Sequence, residues 1–274
     1  MKITALLENT SHRTGVRPLH GLSLYIESKN CNILFDMGQD DLFIKNAEVL
    51  GVDLSKVDVA VISHGHYDHG GGLAYFLEIN KYAPVYISNL AFKDYYNGAG
   101  KYIGLDKKLR DSGRLVFTKK DMEIAPGIWL YTCKNQVYRN EIEPYGLSVK
   151  VKGILEPENF NHEQYLLIEE NGCRVLFSGC SHRGVLNIVD WFKPDYLIGG
   201  FHFCKIEDET ELKKAAETLN GYATEYYTCH CTGVEEYEVL SKYMSRINYL
   251  SCGESINLQT GVRPLSVKNK GRFQ

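Results

Sequence analysis

The chain has 274 residues, 44% of them hydrophobic and 24% charged, with a formal net charge of −3 at pH 7. That length is enough for one large domain with a sizeable core. Both signs of charge are spread along the chain, so composition offers neither a basic nucleic-acid tail nor a polybasic membrane patch, and no apolar stretch is long enough to span a bilayer.

Residues 2–8, 22–27 and 32–35 alternate as strands do, with Ser28-Lys29-Asn30 as a turn. Between the first two lies a turn-rich stretch, 9–21, that holds His12 and His20. The start therefore reads as a first strand and not as a leader peptide. Residues 40–50 have helical spacing, with Leu42, Phe43, Ala47 and Leu50 on one face and Gly51 as the stop. Residues 57–62 form a near-continuous apolar run, expected of a strand buried on both faces. After a histidine-rich loop, 73–82 reads as a helix and 84–88 as a short strand.

Residues 89–125 have poor periodicity and mix Phe92, Tyr95, Tyr96 and Tyr102 with lysines and with Asn97-Gly98-Ala99-Gly100. They read equally well as a substrate-facing lid or as a surface insertion, placed near 89–145. Further on, 127–133 and 147–151 are expected strands, and 164–169 with 173–178 a hairpin around Glu170-Asn171-Gly172. A helix at 184–192, a strand at 195–199, a helix at 210–219, a strand at 225–229, a helix at 234–244 and a strand at 247–250 close the series. Two strand-rich halves with outer helices predict an α/β protein built as a four-layer α/β/β/α sandwich, a single domain over residues 1–274.

The chemistry concentrates in Ser63-His64-Gly65-His66-Tyr67-Asp68-His69-Gly70-Gly71. Alternate residues of a loop leaving a strand point the same way, so His64 and His66 converge on one position. Asp68 and His69, further round the turn, face a second. Imidazole and carboxylate together suit zinc or another first-row divalent metal. Four such side chains in six positions are a poor match to solvated loop histidines. The eight cysteines are too sparse for a disulfide scaffold and contain no Cys-x-x-Cys pair, so they speak for reduced thiols in a cytoplasmic protein, some of them metal ligands, and against an iron–sulfur or redox motif.

Through Ile33-Leu34-Phe35-Asp36-Met37-Gly38, the histidine loop and Val175-Leu176-Phe177-Ser178-Gly179, nearly the whole chain resembles the metallo-β-lactamase fold superfamily. The resemblance implies metals at the rim between two sheets, His64 and His66 serving one, Asp68 and His69 the other, with Asp36 a buried acid beneath. It places His162, in His162-Glu163-Gln164, at the third motif. Cys180, in Ser178-Gly179-Cys180-Ser181-His182-Arg183-Gly184, stands where the fourth motif has an aspartate. A thiolate holds one metal well but bridges two less well than a carboxylate, so one or two Zn2+ are expected with an uneven second position. His182 competes with His162 for the third ligand position, or stands behind it as a proton donor; spacing leaves both open. The fifth-motif histidine is His230, whose neighbours Cys229 and Cys231 are expected to point away as small buried hydrophobes. His202, in Gly199-Gly200-Phe201-His202, is expected at the rim facing substrate, and His20 as an ordinary histidine of the first hairpin.

Leu7-Glu8-Asn9, His20-Gly21-Leu22-Ser23, Gly179-Cys180-Ser181-His182, Gly199-Gly200-Phe201-His202 and His230-Cys231-Thr232-Gly233 together are similar to the branch that includes archaeal dihydropterin methyl-ribofuranosylaminobenzene phosphate synthases. The function implied is a metal-dependent hydrolase using metal-activated water, with Asp68, His182 and His202 as its catalytic groups. The alternative is a metal-dependent transferase or lyase on a phosphorylated or pterin-like aromatic substrate, with Lys101, Lys107 and Lys108 meeting the phosphate. An oxidoreductase is disfavoured, because the di-iron branch of the fold carries a glutamate where His66 stands. The expected partner is a small-molecule substrate, with no nucleic acid or membrane, and self-association is left open.

Overall fold

A computed structural model describes residues 1–259; residues 260–274 of the expected domain lie outside the described residues. In chain order the elements are β1 (Lys2–Leu7), β2 (Ser23–Glu27), β3 (Asn32–Phe35), α1 (Leu42–Leu50), β4 (Val59–Val61), α2 (Tyr67–Gly70), α3 (Leu73–Ile79), β5 (Val85–Ser88), β6 (Asp94–Tyr96) and β7 (Leu115–Thr118). They continue with β8 (Met122–Ala125), β9 (Ile128–Tyr131), β10 (Ser148–Val151), β11 (Ile154–Pro157), β12 (Tyr165–Glu170), β13 (Cys173–Phe177), α4 (Val185–Phe192), β14 (Tyr196–Gly199), α5 (Glu209–Asn220), β15 (Glu225–Thr228), α6 (Val234–Ser241), β16 (Ile247–Tyr249) and β17 (Ser255–Asn257).

Two seven-stranded sheets face each other. Their strand orders are β17-β1-β2-β3-β4-β5-β7 and β16-β15-β14-β13-β12-β9-β8. The four layers follow from strict alternation. In β3, Ile33 and Phe35 enter the core between the sheets while Leu34 packs on the helix side with Phe43 of α1 and Phe76 of α3. In β12, Leu166 and Ile168 face the first sheet while Tyr165 and Leu167 pack under α4 and α5. A strand buried on both faces needs apolar residues at both phases of the pleat, which is why these segments read as continuous apolar runs. Phe35 and Phe177 meet across the sheets at 5.8 Å between ring centroids. The expected four-layer α/β/β/α sandwich is the observed fold.

Each sheet has an antiparallel half and a parallel half. β3, β4, β5 and β7 run parallel in the first, and β13, β14, β15 and β16 in the second. The carboxyl ends of β3, β4, β13, β14 and β15 carry the candidate site residues, the usual place for a site in a sheet of parallel strands.

Three details depart from the sequence reading. The series closes with β17, not with 247–250; β17 adds to the edge of the first sheet by pairing with β1. The range 89–145 is divided: β7, β8 and β9 belong to the two main sheets, whereas β6 pairs with β10 and β11 in a separate three-stranded sheet. That small sheet has its own core of Tyr95, Ile103 and Val149. It also reaches the site, because the Tyr95 ring stacks on His162 at 4.2 Å. All eight cysteines are free thiols, and no helix among the described residues is long and apolar enough to cross a membrane.

Candidate metal centre

The site is built around Asp36, fully buried where the chain leaves β3 with a φ of 59°. Its carboxylate accepts from the Ser63 N–H at 2.7 Å, the Ser63 hydroxyl at 2.7 Å and His69 Nδ1 at 2.7 Å. One acid thus ties the end of β3 to both ends of the histidine loop. Ser63 spends its proton on Asp36, so its oxygen accepts from His64 Nδ1, 2.9 Å away. His66 Nε2 lies 3.1 Å from Glu158 Oε2, and His230 Nδ1 lies 2.9 Å from the Asn9 side-chain oxygen.

These outer acceptors settle the tautomers. In its neutral form each ring has its proton on the nitrogen facing away from the centre, so that His64 Nε2, His66 Nδ1, His69 Nε2 and His230 Nε2 are the nitrogens turned inward. Such outer partners are how metal-binding imidazoles are oriented. The inward atoms fall into two groups. In one, His64 Nε2 lies 3.1 Å from His66 Nδ1 and 3.3 Å from His182 Nε2. In the other, His69 Nε2 lies 3.0 Å from Cys180 Sγ and 3.2 Å from His230 Nε2, and Asp68 Oδ2 lies 3.3 Å from His230 Nε2. Nitrogens at the usual zinc bond length of about 2.0–2.1 Å in a tetrahedron stand roughly 3.3–3.4 Å apart. Facing lone pairs at these separations repel unless a cation lies between them, so the donor set fits a divalent metal.

Protonation agrees. Burial and the neighbouring imidazoles hold His64 and His182 well below the ordinary histidine value, as neutral donors require. Burial opposes charge on Glu158, but His66 and His162 beside it outweigh that and bring its carboxyl down to about 2. Burial likewise lowers His69, yet Asp36 and Asp68 prevail and raise it to about 9, so at neutral pH its Nε2 holds a second proton that a cation would have to displace. Burial pushes the Cys180 thiol up.

The structure separates the two histidines that sequence left in competition. His162 accepts from the Gly65 N–H at Nδ1, 2.7 Å away, and engages Glu158 at Nε2. Both its nitrogens are used, and it supports His66 through the shared Glu158. His182 instead aims Nε2 at His64, its ring stacked on Phe160 at 4.5 Å and 4°. Glu163 fixes the His182 loop by accepting from the N–H groups of His182 and Arg183. His20 reaches the site after all, with Nε2 3.2 Å from Asp68 Oδ2, although its side chain is 55% exposed. His202 lies beside His182, ring centroids 4.3 Å apart.

Cys229 is buried in the inter-sheet core as expected, but Cys231 is not its counterpart. β15 ends at Thr228, His230 adopts a φ of 50°, and a single tight turn follows, so strand alternation is lost and Cys231 comes to Cys180. A cavity of about 510 Å³ opens beside His182 and His202, walled by Tyr145 and Phe203, with Arg139 and Lys214 as its cations and Glu141, Glu143 and Glu211 as its acids. The expected phosphate contacts lie elsewhere: Lys107 pairs with Asp94 at 2.5 Å, and Lys101 sits over the Tyr67 ring.

A sequence profile of the metallo-beta-lactamase superfamily matches residues 16–219. The chain belongs to the metallo-beta-lactamase superfamily. It is 29% identical over 252 residues to the uncharacterised protein MJ0448 of Methanocaldococcus jannaschii, covering 88% of this chain and 94% of that one. It is also 29% identical over 240 residues to the same organism's 7,8-dihydropterin-6-methyl-4-(beta-D-ribofuranosyl)-aminobenzene-5'-phosphate synthase, covering 78% and 81%. Among solved structures it is similar to Tm1679, described as a metal-dependent hydrolase of the beta-lactamase superfamily, at a TM-score of 0.81 and 29% identity over 94% of this chain and 99% of that one. Zn2+-bound PqqB from Methylobacterium extorquens shares the fold at a TM-score of 0.55 and 11% identity, over 94% of this chain and all of that one.

Sequence reasoning missed Glu158, Ser63 and Asn9 as the groups that orient the superfamily's histidines here. Glu158 lies four residues before His162, a spacing that was the one local signal for it. Replacing Glu158 by glutamine should lower zinc affinity by about 10–100-fold, the range for an outer partner of a ligating histidine. Competition against a chromophoric chelator measures it, and an unchanged affinity would remove Glu158 from this role.

Proposed function

We propose that the protein is a metal-dependent hydrolase of small molecules, with zinc or a similar divalent cation held by His64, His66 and His182 at one position and by Asp68, His69, Cys180 and His230 at a second. The observation that carries the reading is the set of outer hydrogen bonds that turns four imidazole nitrogens inward in two pairs, His64 with His66 at 3.1 Å and His69 with His230 at 3.2 Å. A divalent cation held by such a set lowers the pKa of a coordinated water toward neutrality and polarises a carbonyl or phosphoryl oxygen.

The chain's own groups do the rest. Asp36, Glu158 and Asn9 keep His69, His66 and His230 each in one tautomer. Asp68, backed by His20, would orient the attacking water. His202, at the cavity wall beside His182, supplies a proton to the leaving group. Eight free cysteines favour a reducing compartment, the cytoplasm.

The test is to strip the full-length protein with a chelator, then restore zinc while following metal content and the hydrolysis of aryl phosphodiester, lactone and thioester probes. The expected result is that turnover of at least one probe vanishes on stripping and returns with zinc. Full-rate turnover by the stripped protein would overturn the reading.

A second reading, a transferase or lyase on a flat phosphorylated substrate, draws on the synthase relative and on the same cavity. Tyr145 and Phe203 offer ring faces there, and Lys214 offers positive charge beside Arg139, which pairs with Asp190, and the acids Glu141, Glu143 and Glu211. Thermal shift with pterins and with sugar phosphates tests this second reading, and a complete absence of shift with ring compounds counts against it.

A further inference from the structure

Behind the second group lies a pair of thiols that the proposed centre uses only in part. Cys180, His202 and Cys231 each offer one ligand atom, and the three atoms lie within 4.8 Å of one another. The Cys231 thiol donates to the Cys180 carbonyl at 3.4 Å. Both cysteines are buried, at 3% and 6% exposure. Cys231 is seated against the backbone of Gly200: a Cβ there would stand 2.3 Å from its sulfur, so only glycine leaves the thiol this position. His202 adopts a φ of 56°, an unusual conformation for a side-chain-bearing residue, and in it the ring is carried over to the thiols. The ring's Nδ1 is buried and has no hydrogen-bond partner in the protein. An ordinary buried cysteine behaves as a small hydrophobe, as Cys229 does in the inter-sheet core. Cys231 instead faces a second sulfur and an imidazole.

We propose that Cys180, Cys231 and His202 form a thiolate-rich donor set for a thiophilic cation, contiguous with the metal centre and sharing Cys180 with it. Two sulfurs and one imidazole are a soft set, suited to zinc, cadmium or cuprous ions over magnesium, calcium or manganese. Both thiols release their protons to solvent when the cation binds, so binding is weaker at acid pH. Filling the set withdraws His202 from proton donation and divides Cys180 between two cations. A thiophilic cation beyond the catalytic complement is thereby inhibitory. The inference rests on the reading of Cys180 as a metal ligand.

The experiment titrates Cd2+ alone into chelator-stripped full-length protein and follows the thiolate-to-cadmium charge-transfer absorption, which counts bound sulfurs. Wild-type protein is expected to saturate with two thiolates, and Cys231→Ser to lose about half of that absorption. His202→Ala should keep the full absorption but need more cadmium to reach it. An unchanged band in Cys231→Ser, together with its loss in Cys180→Ser, would overturn the inference while leaving the centre intact. No band in the wild type would overturn both. Should Cys231→Ser fail to fold, X-ray absorption on cadmium-loaded wild-type protein counts the sulfur neighbours directly: two support the set, and one removes it.

Discussion

Asp36→Ala is expected to destabilise the fold by roughly 3–5 kcal/mol, the range for removing one partner from a buried charged network. The carboxylate accepts from the Ser63 N–H, the Ser63 hydroxyl and His69 Nδ1, and none of these can reach water from a fully buried position. Each buried donor left without an acceptor costs about 1–3 kcal/mol, less than additively because the loop relaxes. The damage is not confined to stability. His69 loses the group that fixes its proton on Nδ1, and Ser63, no longer committed as a donor, stops selecting the His64 tautomer. Asp36→Asn keeps the shape and one acceptor oxygen and should fall between alanine and wild type. Urea unfolding followed by circular dichroism measures both variants. An alanine midpoint within error of wild type would mean that the acid is not the anchor described here.

The second large effect separates His182 from His162. His182→Ala removes an inward-facing nitrogen and should reduce bound zinc by one equivalent, or weaken that position by more than the roughly 100-fold reached by changes behind a ligand. His162→Ala should leave the zinc count unchanged and weaken affinity only through Glu158 and His66. Mass-spectrometric metal counting on the two purified variants decides. Equal loss in both, or loss only in His162→Ala, would reverse the assignment of the third position. Both rings are buried, so a melting curve for each variant distinguishes a lost ligand from a lost fold.

What was legible in the sequence was what neighbours along the chain determine. Val57 to Ile62 announces a strand buried on both faces because both phases of the pleat are apolar, and it leads directly into His64–His69. Pairings over long separations were not legible. β17 joins β1 across almost the whole described chain, and its own three residues are short and partly exposed. β7 and β8 carry partly exposed positions at sheet edges, so their alternation is diluted. The different surroundings of His162 and His182 depend on the Gly65 N–H, 97 residues from His162, which no spacing rule sees. Cys231 was misread because strand periodicity was carried past Thr228, where the backbone turns.

The split of each sheet into antiparallel and parallel halves has a mechanical consequence. His64 and His66 leave the first sheet, while His182, Cys180 and His230 leave the second, so a cation taken up there is a staple between two layers joined by apolar packing and by polar contacts such as Gln164 N–H to the Ser63 carbonyl. Uptake then adds RT ln(1 + [M]/Kd) to the free energy holding the layers together, about 4 kcal/mol when free metal exceeds Kd a thousandfold. The melting temperature should climb with free zinc concentration, and chelation should loosen the site end of the sandwich before the opposite end, where the Lys29 N–H donates to Glu170 across the layers.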